Sequence, residues 1–420
     1  MLANLPDRFE FLSDEWIVEA RRFLTKAVEQ RKEALGGQPF SLSERFADAP
    51  PHLRLPDDVG AWTARYNGEA MTVSRGFDPA ADVVVEGDYQ AGLAGGQFIG
   101  MLAPGAMKAM RREVAAMHGK DAVRMKGRIE NPAAGELLAL LHDHLGRRTV
   151  ENPDLAHRAR RQGLAAKMRE LEENGYVVIE RAISPQFADE VRDATLRALL
   201  PHQSLSMNWM LYHGREFEQL IQNPLLMTLI DGSLGRGAVI ASFSCIRKGP
   251  GPGTIPMHTD YAHIPEPFPE FSLTGVGVWA LEDWTVASGP TWIVPGSHKR
   301  RRNPRPGEGT NEGVPIEMPK GSVVYFDHGV WHWQGDRTEP GDRVTLHAHF
   351  NRGILRSLEP KKTDVQMLHR NSPRLAEMLG EDDWFDKLSA AGRDYGRFTY
   401  MNKLHAFTEA KKRELLAEPV

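Results

Sequence analysis

The chain has almost no cysteine: a single residue, Cys245, in 420. An internal disulfide is therefore impossible and a cysteine-built zinc module is excluded. A reducing, cytoplasmic setting is expected. Long apolar runs are also missing. No stretch approaches the ~20 apolar residues that a membrane helix requires. The first residues, Met1-Leu2-Ala3-Asn4-Leu5-Pro6-Asp7-Arg8, place charge where a signal peptide needs its apolar centre. Neither secretion nor an integral membrane segment is expected. Charge of one sign is lacking too: 52 basic residues face 56 acidic ones, and the pI is near 6.5. That balance offers no electrostatic footprint for nucleic acid. Internal repeats and low-complexity tracts are absent. What is present is an ordinary globular composition, 41% apolar before glycine is counted, which excludes disorder as the dominant state. A metal site in this chain must be built from carboxylates and the 16 histidines.

The length predicts two or three domains. Ser13-Asp14-Glu15 followed by apolar residues at 16, 17, 20, 23, 24, 27 and 28 predicts a capped amphipathic helix that ends near Leu35, before Gly36-Gly37. Short β-like runs follow between Ala61 and Asp88, clearest in Ala81-Asp82-Val83-Val84-Val85. Residues 98–118 are Met-rich and helix-compatible, Val123 to Ile129 is strand-like, and Ala133 to Leu145 reads as a closing helix. This is one α/β unit. The charged stretch Arg147 to Arg161, with Asn152-Pro153, reads as a linker or connecting helix. The domain boundary is expected near 150, giving domains of 1–150 and 151–420. Beyond it, helix, strand and helix are predicted for Leu164–Asn174, Gly175–Glu180 and Ser184–Leu200. From Ala238 to Arg352 short alternating strands separated by Gly and Pro turns suggest an antiparallel barrel or jelly roll. The last 50 residues return to helical patterning. The predicted class is α+β in two domains.

The sharpest local feature is Met257-His258-Thr259-Asp260, after the turn-rich run Gly249 to Thr254. In a strand, residues i and i+2 share a face and lie about 7 Å apart. One imidazole and one carboxylate would then reach the same cation. A second histidine is offered by His332, at 332 − 258 = 74 residues further on, where Gly321 to His332 reads as a strand running into a turn. Two histidines and one carboxylate make the facial triad of non-haem Fe(II) oxygenases. A zinc hydrolase uses a similar set, so ligand types alone leave the metal open. Arg343 begins a further strand, with Arg343, Thr345 and His347 on one face. Facing inward, its guanidinium is a buried cation that needs an anionic partner, such as one end of a dicarboxylate.

Four pieces in order, His258-Thr259-Asp260, the run Ser288 to Lys299 with Pro295-Gly296-Ser297-His298, Trp331-His332, and Arg343 eleven residues later, resemble the phytanoyl-CoA dioxygenase family. Leu171-Glu172-Glu173-Asn174-Gly175-Tyr176-Val177-Val178 resembles it as well. The likeness covers about residues 155–355. It implies a double-stranded β-helix that binds Fe(II), 2-oxoglutarate and O2 and hydroxylates an unactivated carbon, releasing succinate. By that likeness His258, Asp260 and His332 are the catalytic metal ligands and Arg343 pairs with the distal carboxylate of 2-oxoglutarate. Trp279 falls where the family places an aromatic beside the cosubstrate. The family often has a small residue after the distal histidine; Trp333 and Gln334 stand here, and Gln334 is the residue that can donate a hydrogen bond. The intact Asp260 speaks against the halogenating relatives. The order of strands and helices in the first unit is similar to the sterol-carrier-protein type-2 fold, with 96–120 longer than that family leads one to expect. Together these imply a hydrophobic, acyl- or lipid-like small-molecule substrate.

Competing readings accompany each feature. His332 competes as distal ligand with His328, expected at a strand end facing solvent, and with His347 and His349, of which His347 is expected to line the interior. His142 and His144 diverge on a helix and read as solvated. Five of the nine Trp, at 279, 284, 292, 331 and 333, line either a substrate pocket or, more simply, the barrel wall. The methionines at 101, 107, 110 and 117 read as core, and the basic residues from Lys108 to Arg128 as a solvated face. Two rival functions remain: a lipid carrier or sensor that uses the barrel as a scaffold, and a zinc hydrolase. The carrier has no need of a triad plus Arg343, and the hydrolase none of a buried arginine.

Overall fold

The computed structural model of the chain describes residues 8–50, 53–55, 59–202, 204–261, 263–358, 364–381, 388–389, 392–393 and 395–418. Residues 1–7, on which the expectation of no leader partly rests, lie outside them. The chain divides into two compact units, 1–153 with 363–376, and 154–362 with 377–420. The first is a mixed α/β sheet-and-helix unit and the second is built on antiparallel sheets.

In the first unit, Ser13 caps the helix Asp14–Gln30 by accepting from the Trp16 backbone N–H at 3.2 Å. Trp16, Ile17, Ala20, Leu24, Ala27 and Val28 are buried along one face. A short turn of helix, Lys32–Leu35, ends at Gly36, whose φ of 59° is the left-handed conformation of a helix stop. The sheet comprises β1 (Phe40–Ala47), β2 (Val59–Tyr66), β3 (Met71–Arg75), β4 (Val83–Asp88) and β5 (Val123–Gly127) in the order β3-β2-β1-β4-β5. Only β1 and β4 run parallel. The centre of this sheet, β1, is a strand that the sequence does not announce, because Phe40-Ser41-Leu42-Ser43-Glu44-Arg45 mixes serines and charges among its apolar residues. Tertiary partners satisfy them. Ser41 donates to Asp82 at 2.8 Å, and Ser43 lies 2.8 Å from the Thr63 hydroxyl.

Helices Ala106–His118 and Pro132–Gly146 complete the unit. Lys108, Arg111, Arg112, Lys120, Arg124, Lys126 and Arg128 are exposed, a solvated face as read. His142 and His144 are not solvated. His144 sits 2.6 Å from Glu19 and its ring lies 4.4 Å from that of Phe23, and His142 Nδ1 is buried.

In the second unit, the helix Ala165–Asn174 ends at Gly175 with φ 77° and leads into β6 (Tyr176–Ile179). The main sheet adds β7 (Ser206–Met207), β8 (Val239–Lys248), β9 (Thr274–Ala280), β12 (Val323–Asp327) and β14 (Arg343–Asn351). A smaller sheet pairs β10 (Thr291–Ile293) with β11 (Val314–Pro315) and β13 (His332–Gln334). The main order is β6-β12-β9-β14-β8-β7, antiparallel throughout, and the small one β11-β10-β13.

Period-2 alternation gives the main sheet two unlike faces. Val276, Val278, Ala280, Val324 and Phe326 form one cluster with Ile293 of the small sheet and with Trp284, Ile316, Met318 and Val330, so this face is the interior between the sheets. The other face is covered by the helix Pro224–Leu234: a methyl group on Gly277 would meet Leu226 at 3.1 Å.

Glu44 generates a pH-dependent stability. Burial raises its carboxyl to about 7 from an ordinary 4.5, although Trp62 Nε1 donates to it at 2.8 Å. A folded pKa above the unfolded one means that the fold binds this proton more tightly, so stability is lost as pH rises from about 4.5 through 7. Glu44→Gln is expected to raise the melting temperature of the full chain at pH 8 and to change it little at pH 5; equal shifts at both values would contradict the assignment.

Candidate metal centre

Three segments build the site. The strand β12 ends at Asp327, and the following turn carries His328 before β13 begins at His332. The segment carrying His258 and Asp260 is not the strand expected: its one ladder contact is a bridge between His258 and His332, with reciprocal backbone hydrogen bonds of 3.0 Å. Asp260 is tied to the same turn, its N–H donating to the His328 carbonyl at 2.9 Å. These pairings bring Asp260 Oδ1 to 3.3 Å from His258 Nε2 and 3.8 Å from His332 Nε2.

The short motifs singled out in the sequence also clamp one another in space. The Ser297 hydroxyl accepts from the Trp331 N–H at 2.8 Å and donates to the Val294 carbonyl at 2.7 Å. The Gly296 N–H donates to Asn174 O at 2.8 Å, and the Asp327 N–H to Gly175 O at 2.9 Å. A methyl group on Gly175 would lie 2.4 Å from His298 Nδ1 and 2.5 Å from Val330, so this close approach requires glycine as well as its positive φ. The Pro-Gly-Ser-His loop and the Asn174-Gly175 turn therefore position the His328–His332 turn and touch no metal ligand themselves.

The ring tautomers define what the centre can hold. His258 Nδ1 faces Pro256 O at 2.8 Å, and His332 Nδ1 faces Val330 O at 2.9 Å. A carbonyl only accepts, so both Nδ1 atoms carry a proton and each Nε2 is left facing the Asp260 carboxylate, as a lone pair in neutral His332 and as an N–H donor to Asp260 in protonated His258. A metal ion that displaces the His258 Nε2 proton would find two imidazole lone pairs and one carboxylate oxygen converging on it. Burial holds His332 below the ordinary imidazole range, and its neighbour Asp260 does not reverse that. For His258 burial acts in the same direction but the Asp260 carboxylate outweighs it and raises the group. Burial would raise Asp260, yet the surrounding imidazoles keep it well below the carboxylate range, so it is anionic. The donor set of two imidazole nitrogens and one carboxylate oxygen, mutually within 4.8 Å, fits a divalent first-row ion. His258 is about one-third exposed, so the centre is open on its side.

Arg343 faces the interior, as its pairing with Lys248 and the pairing of Thr345 with Ala280 require. It is 4% exposed. Its Nη1 donates to Gly289 O, its guanidinium lies 4.8 Å over the Trp284 ring, and its Nε is buried without a partner. No carboxylate among the described residues lies within ion-pair distance of it. Burial lowers its pKa to about 10 against the opposing pull of Glu282. Lys248, also buried, presents a second cation on the same face and donates to Pro252 O at 2.8 Å. An orphaned guanidinium N–H beside two further cations, Lys248 and Arg337, fits an anionic ligand. Sequence reasoning missed Lys248; strand alternation counted back from the register with Arg343 is the signal that identifies it.

Two other expectations, for Trp279 and His328, are corrected. Trp279 pairs with Leu346, out of phase with Arg343, Thr345 and His347, and so lies on the helix-covered face, away from the interior. Gln334 follows His332 on the same side; its amide oxygen accepts from both the N–H and the hydroxyl of Thr254 at 3.0 Å and so holds the loop ahead of His258, while its NH2 group keeps the donor capacity read from the sequence. His328 does not face solvent: it is 6% exposed, with Nδ1 2.6 Å from Thr274 Oγ1 and Nε2 3.1 Å from His349 Nδ1. His347 lines the interior as expected, 2.9 Å from Thr345 Oγ1.

Residues 171–343 match the phytanoyl-CoA dioxygenase (PhyH) family, whose members use Fe(II) and 2-oxoglutarate. Over 168 residues, 39% of this chain and 54% of the relative, it is 29% identical to dioxygenase af480 of Aspergillus fumigatus. It is likewise 29% identical to dioxygenase ALT11 of Alternaria alternata over 167 residues, 36% of this chain and 52% of that one. It is 30% identical to phytanoyl-CoA dioxygenase 1 of Oryza sativa subsp. japonica over 129 residues, 27% and 44% respectively. The chain spans about half the length of the curated relatives it matches.

Ser297→Ala removes the acceptor of a buried N–H, a loss of about 1–3 kcal/mol, and loosens the turn that presents His332. Expected is a lower denaturation midpoint together with roughly 10-fold or weaker Co(II) binding; unchanged Co(II) affinity in the folded variant would show that the clamp does not position the ligand.

Proposed function

We propose that the second unit is a double-stranded β-helix with Fe(II)- and 2-oxoglutarate-dependent hydroxylase activity. The observation that carries this reading is the pair of imidazole Nε2 atoms, each turned by a backbone carbonyl at Nδ1 to face the partly buried Asp260 carboxylate, with an unpaired guanidinium N–H on the interior wall. His258, Asp260 and His332 would hold the ion. Arg343 would hold the distal carboxylate of 2-oxoglutarate, with Lys248 adding a second positive charge. When bound, Fe(II) with 2-oxoglutarate and O2 supplies the oxidation that turns C–H into C–OH and releases CO2 and succinate. The protein's contribution is orientation of the reactants and exclusion of water by the wall behind them. A scaffold-only carrier leaves both the converging imidazoles and the orphaned guanidinium without purpose.

The hydrophobic, acyl- or lipid-like substrate rests on resemblance, and the interior wall supports a different emphasis. From Ser242 to Lys248 on β8 and from Arg343 to His349 on β14 the inward residues are Ser242, Ser244, Lys248, Arg343, Thr345, His347 and His349, with Ile246 the apolar exception. Hydrogen-bonding groups at a pocket wall select substrates that can pair with them. We therefore read the substrate as one that carries polar groups near the carbon attacked. The sterol-carrier-like reading of the first unit, its standing as a separate domain of 1–150 and the cytoplasmic setting stay as proposals from the sequence.

Anaerobic Fe(II) and 2-oxoglutarate together are expected to produce a charge-transfer absorption absent with either alone, and air to produce succinate. Both are lost in Asp260→Ala; a variant that still releases succinate would defeat the reading. Arg343→Met is expected to raise the 2-oxoglutarate KM at least 10-fold, consistent with loss of a charge-assisted pair. Trp279→Phe, altered on the opposite face, leaves that KM within about twofold.

A further inference from the structure

Asp260 has a second oxygen, and it faces a second set of nitrogens. Oδ2 lies 3.6 Å from His328 Nε2, which in turn lies 3.1 Å from His349 Nδ1. The three atoms fall within 4.8 Å of one another. An ion with bonds of about 2.0–2.2 Å needs neighbouring ligands roughly 3.0–3.5 Å apart; the 3.1 Å spacing lies in that range and the 3.6 Å spacing just beyond it. We infer that the chain holds a second divalent cation, of the first-row transition series, on Asp260 Oδ2, His328 and His349, with Asp260 bridging it to the ion on His258 and His332.

Independent elements deliver the ligands. His328 follows β12, and His349 comes inward from β14 opposite Val276 of the intervening β9. His328 has its other ring nitrogen held by Thr274 at 2.6 Å, the support that metal-binding imidazoles usually have. Both rings stand close to the carboxylate, and among the described residues no arginine or lysine makes an ion pair with it. One buried carboxylate thus stands between two pairs of histidines, each pair with one of its oxygens. A cation on the second pair would also fix the rotation of the carboxylate that serves the first.

The full chain, stripped by a chelator and dialysed anaerobically against Co(II) alone, tests this by metal-to-protein ratio. About two ions per chain are expected, about one in His349→Ala and in His328→Gln, and about one in His258→Ala. In the doubly loaded protein, Mn(II) in place of Co(II) is expected to show spin coupling in its paramagnetic resonance spectrum. A single ion in the unaltered chain, bound as tightly by His349→Ala, would overturn the inference and reduce the His328–His349 contact to a hydrogen bond. A single ion lost in His349→Ala but kept in His258→Ala would overturn it too, by moving the one site. Failure of 2-oxoglutarate turnover leaves these counts untouched, so the two readings fail separately. Unaltered-chain stoichiometry needs no variant to fold.

Discussion

A buried carboxylate whose neighbours are imidazoles is the constraint on which the second unit turns. Asp260 is anionic, no guanidinium or ammonium among the described residues lies within ion-pair distance of it, and backbone carbonyls turn two of its neighbours, His258 and His332, so that Nε2 faces it. Burying such a charge without compensation is costly. A proton on His258 supplies that compensation in the apo centre, and an ion on the same three atoms would replace it, which makes the cluster a candidate metal centre. The hydrogen bonds of Ser297, Gly296, Asn174 and Gly175 can be understood as the scaffold that keeps this arrangement from relaxing.

The main sheet separates the remaining tasks by face. Outward residues such as Phe243, Trp279 and Leu346 are buried beneath helices and supply apolar stabilisation. Inward residues divide again: β9 and β12 turn valines and Phe326 to the interior, whereas β8 and β14 turn serines, histidines and cations to it. A half-apolar, half-polar interior suits a reaction chamber better than a packed core, because a buried polar atom left unpaired there can be satisfied by a ligand. Arg343 illustrates it: a stacking indole and one carbonyl satisfy part of the guanidinium, and Nε is left for a ligand.

Glycine and serine at the clamp explain why several short motifs, distant in sequence, resemble one family together. Gly175 is forced by the approach of His298 and Val330, and Ser297 by its double role as acceptor and donor. The match of residues 171–343 to the phytanoyl-CoA dioxygenase family begins at the first of these elements and ends on Arg343.

Much of this was legible in the residues themselves. Local rules were sufficient for the capped helix from Asp14, the stop at Gly36, the helix–Gly175–strand unit and the β-rich run after Ala238, because capping, left-handed glycine and period-2 alternation are short-range effects. The likeness of His258-Thr259-Asp260, Trp331-His332 and Arg343 to one family pointed to the triad before any coordinates. Tertiary pairing decided the rest. The serine-rich β1 becomes a central strand only through Asp82 and Thr63; His328 turns inward only because Thr274 and His349 wait there; Trp279 faces helices because its register with Leu346 is one residue out of phase with Arg343. A one-residue phase reverses a side chain's face, and phase belongs to the partner strand rather than to the sequence that carries the residue.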